Sequence, residues 1–345
     1  MTTHQTTVQS TGVQHASSDT ELAPRLARAL TVVAVGADAR HASVAGRILT
    51  ADSPRDLRGR LSTALYEWLH AGHQLQDTAH EPDASAPLLK RTLRDPEVER
   101  RLTAAVPHRT TSVRGLLRAM EDTDAGRQLL VRLPDITARI PADRLCSAGD
   151  PKPGDTVELS LDAARPALSP GFCYVMGSRP LPRPAGPIRR VFLHLTDQDS
   201  AVAIWAATLS VLERTGARYH AKVLSDPQDY PRRDALVCYL HGDHTRSERA
   251  LADAVAGMPG LATDTSVFTE EIAPGIAASW DPQDPRPGQR GLSFGQHRCL
   301  ALATALVEHA LDGAGSVAER IAESFRAANI DPLRPARNLT DTPGH

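Results

Sequence analysis

The chain has 345 residues and a formal net charge of −2. That length gives room for one large domain or two ordinary domains with a real hydrophobic core. The nearly neutral charge excludes a global field that attracts nucleic acid or a membrane surface, so we expect neither as a partner. No stretch is long and apolar enough to cross a membrane, and the chain opens without a signal peptide, which predicts a cytoplasmic protein.

Two residue types are scarce and therefore informative. Lysine occurs only at positions 90, 152 and 222 among 39 basic side chains, so a lysine inside a regular element attracts notice. The four cysteines form no CxxC pair and lie in apolar stretches, which favours reduced thiols in the core. A nucleophilic cysteine stays open as an alternative, with Cys173 or Cys299 as the candidates.

The N-terminal third shows a helical pattern after a polar start. Residues 1–20 are rich in Thr, Gln and Ser and are predicted to form a disordered tail. Residues 54–72 place leucines on one face at helical spacing. Similar patterns predict helices at residues 21–35, 86–93, 95–105 and 113–122. Residues 21–125 are therefore predicted to form a helical N-terminal region, and residues 110–112 supply caps for its last helix.

From residue 126 the pattern changes to short β-rich segments. Strands are predicted at residues 128–133, 156–161 and 171–177, followed by a Pro-rich loop at 179–187. A β-α-β order follows, with strands at 189–196, 218–224 and 234–241, and Asp197 or Asp199 caps the helix after the first. Later helices are predicted at 247–257, 295–311 and 317–328. We predict an α+β fold with a mixed α/β core at 126–335 and a tail at 336–345.

Two polar residues interrupt strands that are otherwise apolar. Alternation places His194 on one face of its strand with Phe192 and Thr196. Lys222 lies within the strand sequence RYHAKVL, and a lysine in such a position must be paired, exposed or functional. The alternative for His194 is a polar residue with satisfied hydrogen bonds, and the alternative for Lys222 is an ordinary edge or surface position.

Several arginines lie near these strands and can bind an anion. Arg232 and Arg233 precede the third strand of the β-α-β order. Arg286, Arg290 and Arg298 lie in a Gly- and Ser-containing segment that leads into a helix, with Ser293 at its start. Arginines bind phosphate through planar forks, and a helix N-terminus adds N–H donors. In an arginine-rich chain, solvated surface positions are the alternative.

A base, an acid and phosphate-binding arginines suit β-elimination of phosphate from phosphoserine or phosphothreonine. A desolvated lysine can remove the Cα proton, and a histidine can protonate the leaving oxygen. The reaction needs no metal or organic cofactor, and we predict none. His70, His73 and His80, and separately His241 and His244, have ligand-like spacing, but no carboxylate or thiolate completes a zinc site. No Gly-rich phosphate loop is present.

Eight segments carry a resemblance to a known family. They are YEWLHAG at 66–72, GFCYVMG at 171–177, RVFLHL at 190–195, KVLSDPQDY at 222–230, PRRDALVCY at 231–239, FTEEIAPG at 268–275, SFGQHRC at 293–299 and NIDP at 329–332. In order and spacing they resemble the HopA-type effector-like family, which is common in bacterial gene clusters for peptide natural products. The likeness spans roughly residues 55–335.

The resemblance implies a function and a site. Members of the family are implicated in dehydrating Ser and Thr in lanthipeptide-type and thioamide-peptide pathways, beside a separate kinase-like protein. Their core is similar to the phosphothreonine lyases of enteric pathogens. Carried over by position, Lys222 is the base and His194 the acid. The remaining implied residues are Arg232, Arg290 and Arg298 for phosphate, with Arg233 as the alternative to Arg232, and Tyr239, Arg190 and Ser293 as the lining.

One departure from the lyases leaves alternatives open. The lyases carry a second lysine two residues before the histidine, where this chain has Phe192, so that contact must come from elsewhere, either from Arg190 or from an N-terminal residue. The implied activity is phosphate elimination from a phosphorylated ribosomal precursor peptide. The alternatives are a non-catalytic subunit that binds the peptide and the kinase, and a cyclase that adds Cys to dehydro residues.

Overall fold

The computed structural model describes residues 22–73 and 95–341, except for short gaps at 125, 134–135, 147–148, 166–167, 170 and 183–185. The predicted tail at 1–20 and the predicted helix at 86–93, which contains Lys90, lie outside the described residues. His80 lies outside them as well. In the described ranges, no helix has the length and apolar character needed to span a membrane.

The N-terminal region mixes helices with a small antiparallel sheet. Its elements are α1 (Pro24–Ala29), a 3-10 turn (Leu30–Val32), β1 (Val33–Val35), β2 (His41–Val44), β3 (Arg47–Thr50), α2 (Pro54–Leu65), a π-helical turn (Tyr66–Ala71) and α3 (Pro96–Ala104). The strands pair in the order β1-β2-β3. Ser53 and Asp95 start α2 and α3 by accepting hydrogen bonds from backbone N–H groups of the first turn.

A second antiparallel sheet follows and has its own small apolar core. Its elements are β4 (Thr110–Thr123), β5 (Gly126–Arg132), β6 (Thr137–Pro141), a 3-10 turn (Ala142–Arg144) and β7 (Thr156–Asp162). The strand order is β6-β5-β4-β7. Leu117, Val131 and Leu159 are among the buried residues of this core.

The C-terminal half is built on a six-stranded antiparallel sheet. Its elements are β8 (Phe172–Met176), β9 (Ile188–Leu195), α4 (Gln198–Thr215), β10 (Arg218–Leu224), a 3-10 turn (Pro227–Asp229), β11 (Arg232–His241), α5 (Thr245–Val255), β12 (Glu270–Ala273), β13 (Ile276–Trp280), α6 (Phe294–Asp312) and α7 (Val317–Ala327). The strand order is β12-β13-β9-β11-β10-β8, so β9, β11 and β10 are central.

Helices cover both faces of this sheet. On one face, Val191 and Leu193 of β9 pack in a cluster with Trp205 of α4 and residues of α3 and α5. On the other face, Phe192 of β9 belongs to a cluster formed by α2, the π-helical turn, α6 and α7. Strand alternation therefore sends neighbouring residues of β9 into two different cores. The face that carries Phe192 also carries the predicted site residues.

The α+β class and the mixed core are confirmed, but the helical N-terminal region is only partly correct. Residues 113–122 are wrong as a helix, because they belong to β4 and pair with both β5 and β7. Residues 110–112 therefore lie in the same strand and do not cap a helix. The helix predicted at 21–35 ends at Ala29, and the β-branched Val33 and Val35 continue as a strand.

Two smaller expectations also change. Cys146 is exposed, whereas Cys173, Cys238 and Cys299 are buried as predicted. Residues 336–341, predicted as the start of a tail, pack on the core, since Ala336 and Asn338 are buried.

Of the two predicted caps of α4, the structure has Asp197, whose side chain accepts a hydrogen bond from the Ser200 N–H.

Candidate active site

The central strands place Lys222 beside the face that carries Phe192 and His194. Lys222 of β10 is paired with Val237 of β11, and Val237 is paired with Phe192 of β9. Paired residues of neighbouring strands project to the same side of a sheet. On the outer side of β10, Lys222 is paired with Tyr174 of β8. Lys222 and His194 thus share a face, on strands that β11 separates.

A cavity of about 620 Å³ opens on this face, and Lys222 lies in its wall. The strands contribute Arg190 and Tyr239 as further lining residues. The rest of the wall comes from the connection between β13 and α6 and from the first turn of α6. It consists of Asp281, Pro282, Gln283, Asp284, Pro285, Gln289, Arg290, Gly291, Leu292, Ser293 and Gln296.

The Lys222 amine is in a setting that favours its neutral form. Its Nζ lies 3.9 Å from the centre of the Phe172 ring and has no hydrogen bond or ion pair within the part of the chain that the structure describes. The pKa of Lys222 is lowered to about 8, chiefly by burial; Arg190 and Arg232 act in the same direction, whereas Asp234 opposes them. About a tenth of Lys222 is therefore unprotonated at pH 7, far more than for a lysine in water.

Arg190 and Arg290 supply positive charge to the same cavity. Arg190 is buried, its Nε donates to Asp281 Oδ1 at 2.6 Å, and its guanidinium lies 4.9 Å from the Tyr239 ring centre. Arg290 is exposed at the rim and makes no hydrogen bond or ion pair with any described residue. The cavity thus has one fixed and one free guanidinium on its walls.

Ser293 marks the point where the cavity meets helix α6. Its side chain accepts a hydrogen bond from the Gln296 N–H, and the Gln296 side chain accepts one from the Ser293 N–H. This reciprocal capping starts the helix at Phe294. The positive end of the α6 dipole is consequently directed toward the cavity wall.

Arg232 lies beside Lys222 but is not among the cavity-lining residues. Its Nε and Nη2 donate to the two carboxylate oxygens of Asp234 at 2.8 and 2.9 Å. The Tyr66 hydroxyl joins them, since it accepts from Arg232 Nη2 and donates to Asp234 Oδ2, each at 2.8 Å. Burial acts to raise the pKa of Asp234, but Arg232 and His70 hold it well below its usual value. The group is a charged pair fixed by a tyrosine.

His194 has a carboxylate partner but does not line the cavity. Its Nδ1 lies 2.7 Å from Asp264 Oδ1 and 3.0 Å from the Asp264 carbonyl oxygen. Because both are acceptors, Nδ1 carries a proton. Arg233 holds the same carboxylate through Nε at 2.7 Å. The structure thus brings Lys222, Arg190, Arg290, Tyr239 and Ser293 to one cavity and leaves His194 outside it.

The phosphate-binding role implied for Arg298 needs correction. Arg298 is fully buried, and its guanidinium donates to the Pro335 and Arg337 carbonyl oxygens at 3.0 and 3.3 Å and to His297 Nδ1 at 2.9 Å. Burial lowers its pKa to about 9. The side chain points from α6 into the C-terminal segment rather than into the cavity. Arg298 is therefore a structural residue in this fold.

Four residues next to the predicted ones were not predicted as site residues. Tyr66, Phe172, Asp234 and Asp281 contact Lys222, Arg190 or Arg232. Asp234 follows Arg232 by two residues, and that spacing was the only signal for their pairing. Tyr66 lies in a segment that carries the resemblance, but a contact across 168 positions has no local signature.

The histidines considered as metal ligands are dispersed. His70 is buried and its Nδ1 lies 3.0 Å from Ser266 Oγ, whereas His241 Nε2 lies 3.2 Å from His220 Nδ1. Within residues 22–73 and the described parts of 95–341, no three His, Cys, Asp or Glu side chains come together as a metal-binding group.

The chain is similar to known proteins at two levels, solved structures and a family model. Two effector proteins of solved structure are similar to it, and for both the alignment covers 48% of this chain and 62% of theirs. The effector from Pseudomonas syringae pv. tomato strain DC3000 is 17% identical with a TM-score of 0.38, and that from Pseudomonas syringae pv. syringae strain 61 is 13% identical with a TM-score of 0.36. The chain thus spans less than two thirds of the length of these effectors. No curated protein matches the chain.

The sequence model of one family matches residues 163–337, slightly more than half of the chain. The matched range contains β9, β10, β11 and α6, which build the cavity. The protein belongs to the HopA1 effector protein family.

Proposed function

We propose that the protein eliminates phosphate from phosphoserine or phosphothreonine in a peptide, with Lys222 as the base. The observation that carries the proposal is the Lys222 amine itself, which has no ion-pair partner among the described residues and shares a cavity with Arg190 and Arg290. A base beside two guanidinium groups matches a substrate that has an acidified C–H bond and an anionic leaving group.

The reaction is balanced without any further reagent. Lys222 takes the Cα proton, and the electron pair of that bond forms the Cα=Cβ double bond. The Cβ–O bond breaks, its electron pair stays on the phosphate oxygen, and the proposed acid His194 donates a proton to that oxygen. Inorganic phosphate leaves, and the residue becomes dehydroalanine or dehydrobutyrine. The side chains of this chain supply proton transfer and charge stabilisation, which are the two needs of this mechanism.

The phosphate contacts in this proposal differ from those that the resemblance implies. Arg190 and Arg290 bind the phosphate at the cavity, and Arg232 approaches it from the Phe172 side, where its guanidinium lies 5.9 Å from the ring centre. Arg190 takes over the contact for which the lyases use their second lysine. Guanidinium groups suit this role because their planar forks match phosphate oxygens.

His194 is proposed as the acid on the basis of the resemblance and of its Asp264 partner. Because it lies outside the cavity lining, its contribution is expected to be smaller than that of the base. His194→Ala is expected to retain more activity than Lys222→Ala, measured as initial rates of elimination. Equal loss in the two variants contradicts this ranking.

The biological setting follows from the resemblance. We propose a ribosomal precursor peptide as the substrate, in lanthipeptide-type or thioamide-peptide biosynthesis, and a kinase-like protein that phosphorylates it. The kinase needs a nucleoside triphosphate, so we propose that both proteins act in the cytoplasm. The alternative of a nucleophilic cysteine receives no support, because the thiols of Cys173 and Cys299 are buried.

One observation favours a second function, a non-catalytic subunit that binds the peptide and the kinase. Phe192 occupies the place of the second lysine of the lyases, and it is packed 5.7 Å from the Phe294 ring and 5.6 Å from the His70 ring. No cation can replace it there without repacking this cluster. A scaffold needs no cation at that place, whereas a lyase must use another residue.

Incubation with a synthetic phosphothreonine peptide separates the two functions. The lyase releases inorganic phosphate and leaves a peptide whose mass has fallen by one phosphoric acid. The same peptide without phosphate is the control and must stay unchanged. A native protein that binds the phosphopeptide but never changes its mass is a scaffold.

A further inference from the structure

We propose that Tyr66, which lies outside the family match, is a positioning residue that holds Arg232 in place for the substrate phosphate. The inference rests on the proposed function for the identity of the ligand. It makes the π-helical turn Tyr66–Ala71 a part of the active site, although the turn belongs to the N-terminal region. π-Helical turns are rare and are frequent at functional sites.

The contacts of Arg232 leave one nitrogen of its guanidinium, Nη1, available to a ligand. Nε and Nη2 are engaged by Asp234, and Nη2 also donates to the Tyr66 hydroxyl at 2.8 Å. Nη1 makes no hydrogen bond to the residues that the structure describes. Because the guanidinium is planar and its Nε and Nη2 atoms are held, the direction of Nη1 is fixed as well.

The Phe172 ring links this guanidinium to the base. The Lys222 amine lies 3.9 Å and the Arg232 guanidinium 5.9 Å from the ring centre. Both cationic groups therefore flank the same ring. A substrate residue seated there would present its Cα proton to Lys222 and its phosphate, three bonds away from the Cα, to Arg232.

Tyr66 is held rigidly enough to act as a support. A Cβ atom added to Gly295 of α6 would lie 2.7 Å from the Tyr66 ring and 2.2 Å from the His70 ring, so helix and turn are in close contact. Only a glycine permits this approach. Burial and Asp234 raise the pKa of Tyr66, so the hydroxyl keeps the proton that it donates. Its position and its protonation state are both set by the fold.

The test removes the hydroxyl alone. Tyr66→Phe is compared with Tyr219→Phe, because Tyr219 is also a buried tyrosine whose hydroxyl donates to a carboxylate, Glu213 at 2.9 Å, but on the opposite face of the sheet. For each variant we measure kcat and KM with a phosphothreonine peptide, the Kd for inorganic phosphate, and the melting temperature. Loss of one hydrogen bond to a charged group corresponds to about a tenfold change in affinity.

Tyr66→Phe is expected to raise KM and the phosphate Kd about tenfold while kcat changes less than about twofold. Tyr219→Phe is expected to change only the melting temperature. In an Arg232→Gln background, Tyr66→Phe is expected to have no additional effect, since it acts through Arg232. If Tyr66→Phe does not fold, Arg232→Lys replaces it, because lysine keeps the charge but loses the contact with the hydroxyl.

The inference is overturned if Tyr66→Phe alters only the melting temperature, or if its effect on KM persists unchanged in the Arg232→Gln background. Failure of the proposed function is a different result. A native protein that binds phosphate but releases none from the peptide refutes the lyase, and the phosphate Kd alone then decides the role of Tyr66. Absence of any phosphate binding refutes both.

Discussion

At the scale of single residues, the active-site proposal depends on the charge state of Lys222. An amine in water is protonated at neutral pH, whereas burial lowers the pKa of Lys222 to about 8. Arg190 and Arg232 act in the same direction, so the groups that bind phosphate also favour the free base. Binding of a phosphate dianion opposes this effect, because it neutralises the arginines.

The pH dependence of kcat/KM follows from this pKa. Only the neutral amine accepts a proton, so the rate is expected to rise with pH and to level off above about 8. Initial rates between pH 6 and 10 measure the midpoint in the free enzyme. A profile that is flat over this range, or that falls as Lys222 loses its proton, contradicts the assignment.

Arg290 and Arg298 are expected to respond in opposite ways to replacement by alanine. Arg290 is exposed at the cavity rim, so Arg290→Ala should weaken phosphate binding and leave the unfolding free energy nearly unchanged. Arg298 is fully buried with its donors satisfied, so Arg298→Ala should lower the unfolding free energy by about 3 kcal/mol. Chemical denaturation and phosphate titration of both variants test this. If instead Arg298→Ala weakens phosphate binding and leaves the unfolding free energy nearly unchanged, Arg298 belongs to the phosphate site.

The direction of the Lys222 side chain was easier to predict from the sequence than the direction of the Arg298 side chain, for a physical reason. The side chain of a lysine in a central strand can point to either face of the sheet, and the alternation of side chains along the strand selects one face. In the first turn of a helix, the direction of a side chain depends on how the helix is rotated about its axis. Periodicity did not fix that rotation for Arg298, which faces the C-terminal segment.

At the scale of elements, the connection between β13 and α6 shapes the cavity. The buried pair of Asp284 and His297 holds this connection in place. Asp284 accepts hydrogen bonds from Arg286 and from His297 Nε2 at 2.9 Å, and His297 Nδ1 accepts one from Arg298 Nη1. His297 is therefore neutral with its proton on Nε2. The pKa of His297 is lowered to about 4, chiefly by burial and then by Arg298, although Asp284 opposes this.

The buried pair of His297 and Asp284 predicts that the protein loses stability in acid. Between pH 6.5 and about 4, the unfolded chain protonates His297 while the folded chain does not, so stability falls as the pH is lowered through this window. Urea midpoints at pH 7, 5.5 and 4.5 measure the slope. His297→Gln keeps a donor and an acceptor but cannot titrate, so its slope should be smaller. An equal slope in both proteins removes His297 as the cause.

The elements that sequence reasoning missed are those stabilised by distant partners. Residues 113–122 carry apolar residues at spacings that suit a helix, but pairing with β5 and β7 makes them a strand. By contrast, β9, β10 and β11 are short β-rich runs with clear boundaries, and their prediction is confirmed within two residues. Local signals were sufficient where the segment was short and buried on both faces.

At the scale of the whole molecule, the N-terminal region completes the core of the C-terminal half. Leu57, Leu61 and Leu65 of α2 are fully buried in the same cluster as Phe294 of α6 and Phe192 of the sheet. The family match begins only at residue 163, yet this cluster does not close without α2. The two regions are therefore expected to fold as one cooperative unit.

Deletion of residues 1–94 tests this cooperativity. It removes α2 and exposes the apolar surface of α6, at a cost of roughly 1.5 to 3 kcal/mol for each large side chain that loses its partner. The truncated chain is expected to lose its cooperative thermal transition, measured by circular dichroism. A truncated chain that unfolds with the melting temperature of the full chain shows instead that the C-terminal half is independent.

The most direct measurement of the central claim compares native protein with Lys222→Arg on a phosphothreonine peptide, with peptide binding and phosphate release measured on the same samples. Arginine keeps the positive charge but does not give up a proton at usable pH, so it cannot act as the base. We predict that Lys222→Arg binds the peptide within a few-fold of the native affinity and slows phosphate release by about 10² or more. A Lys222→Arg variant that releases phosphate at the native rate would show that Lys222 contributes only charge, and would contradict its role as the base.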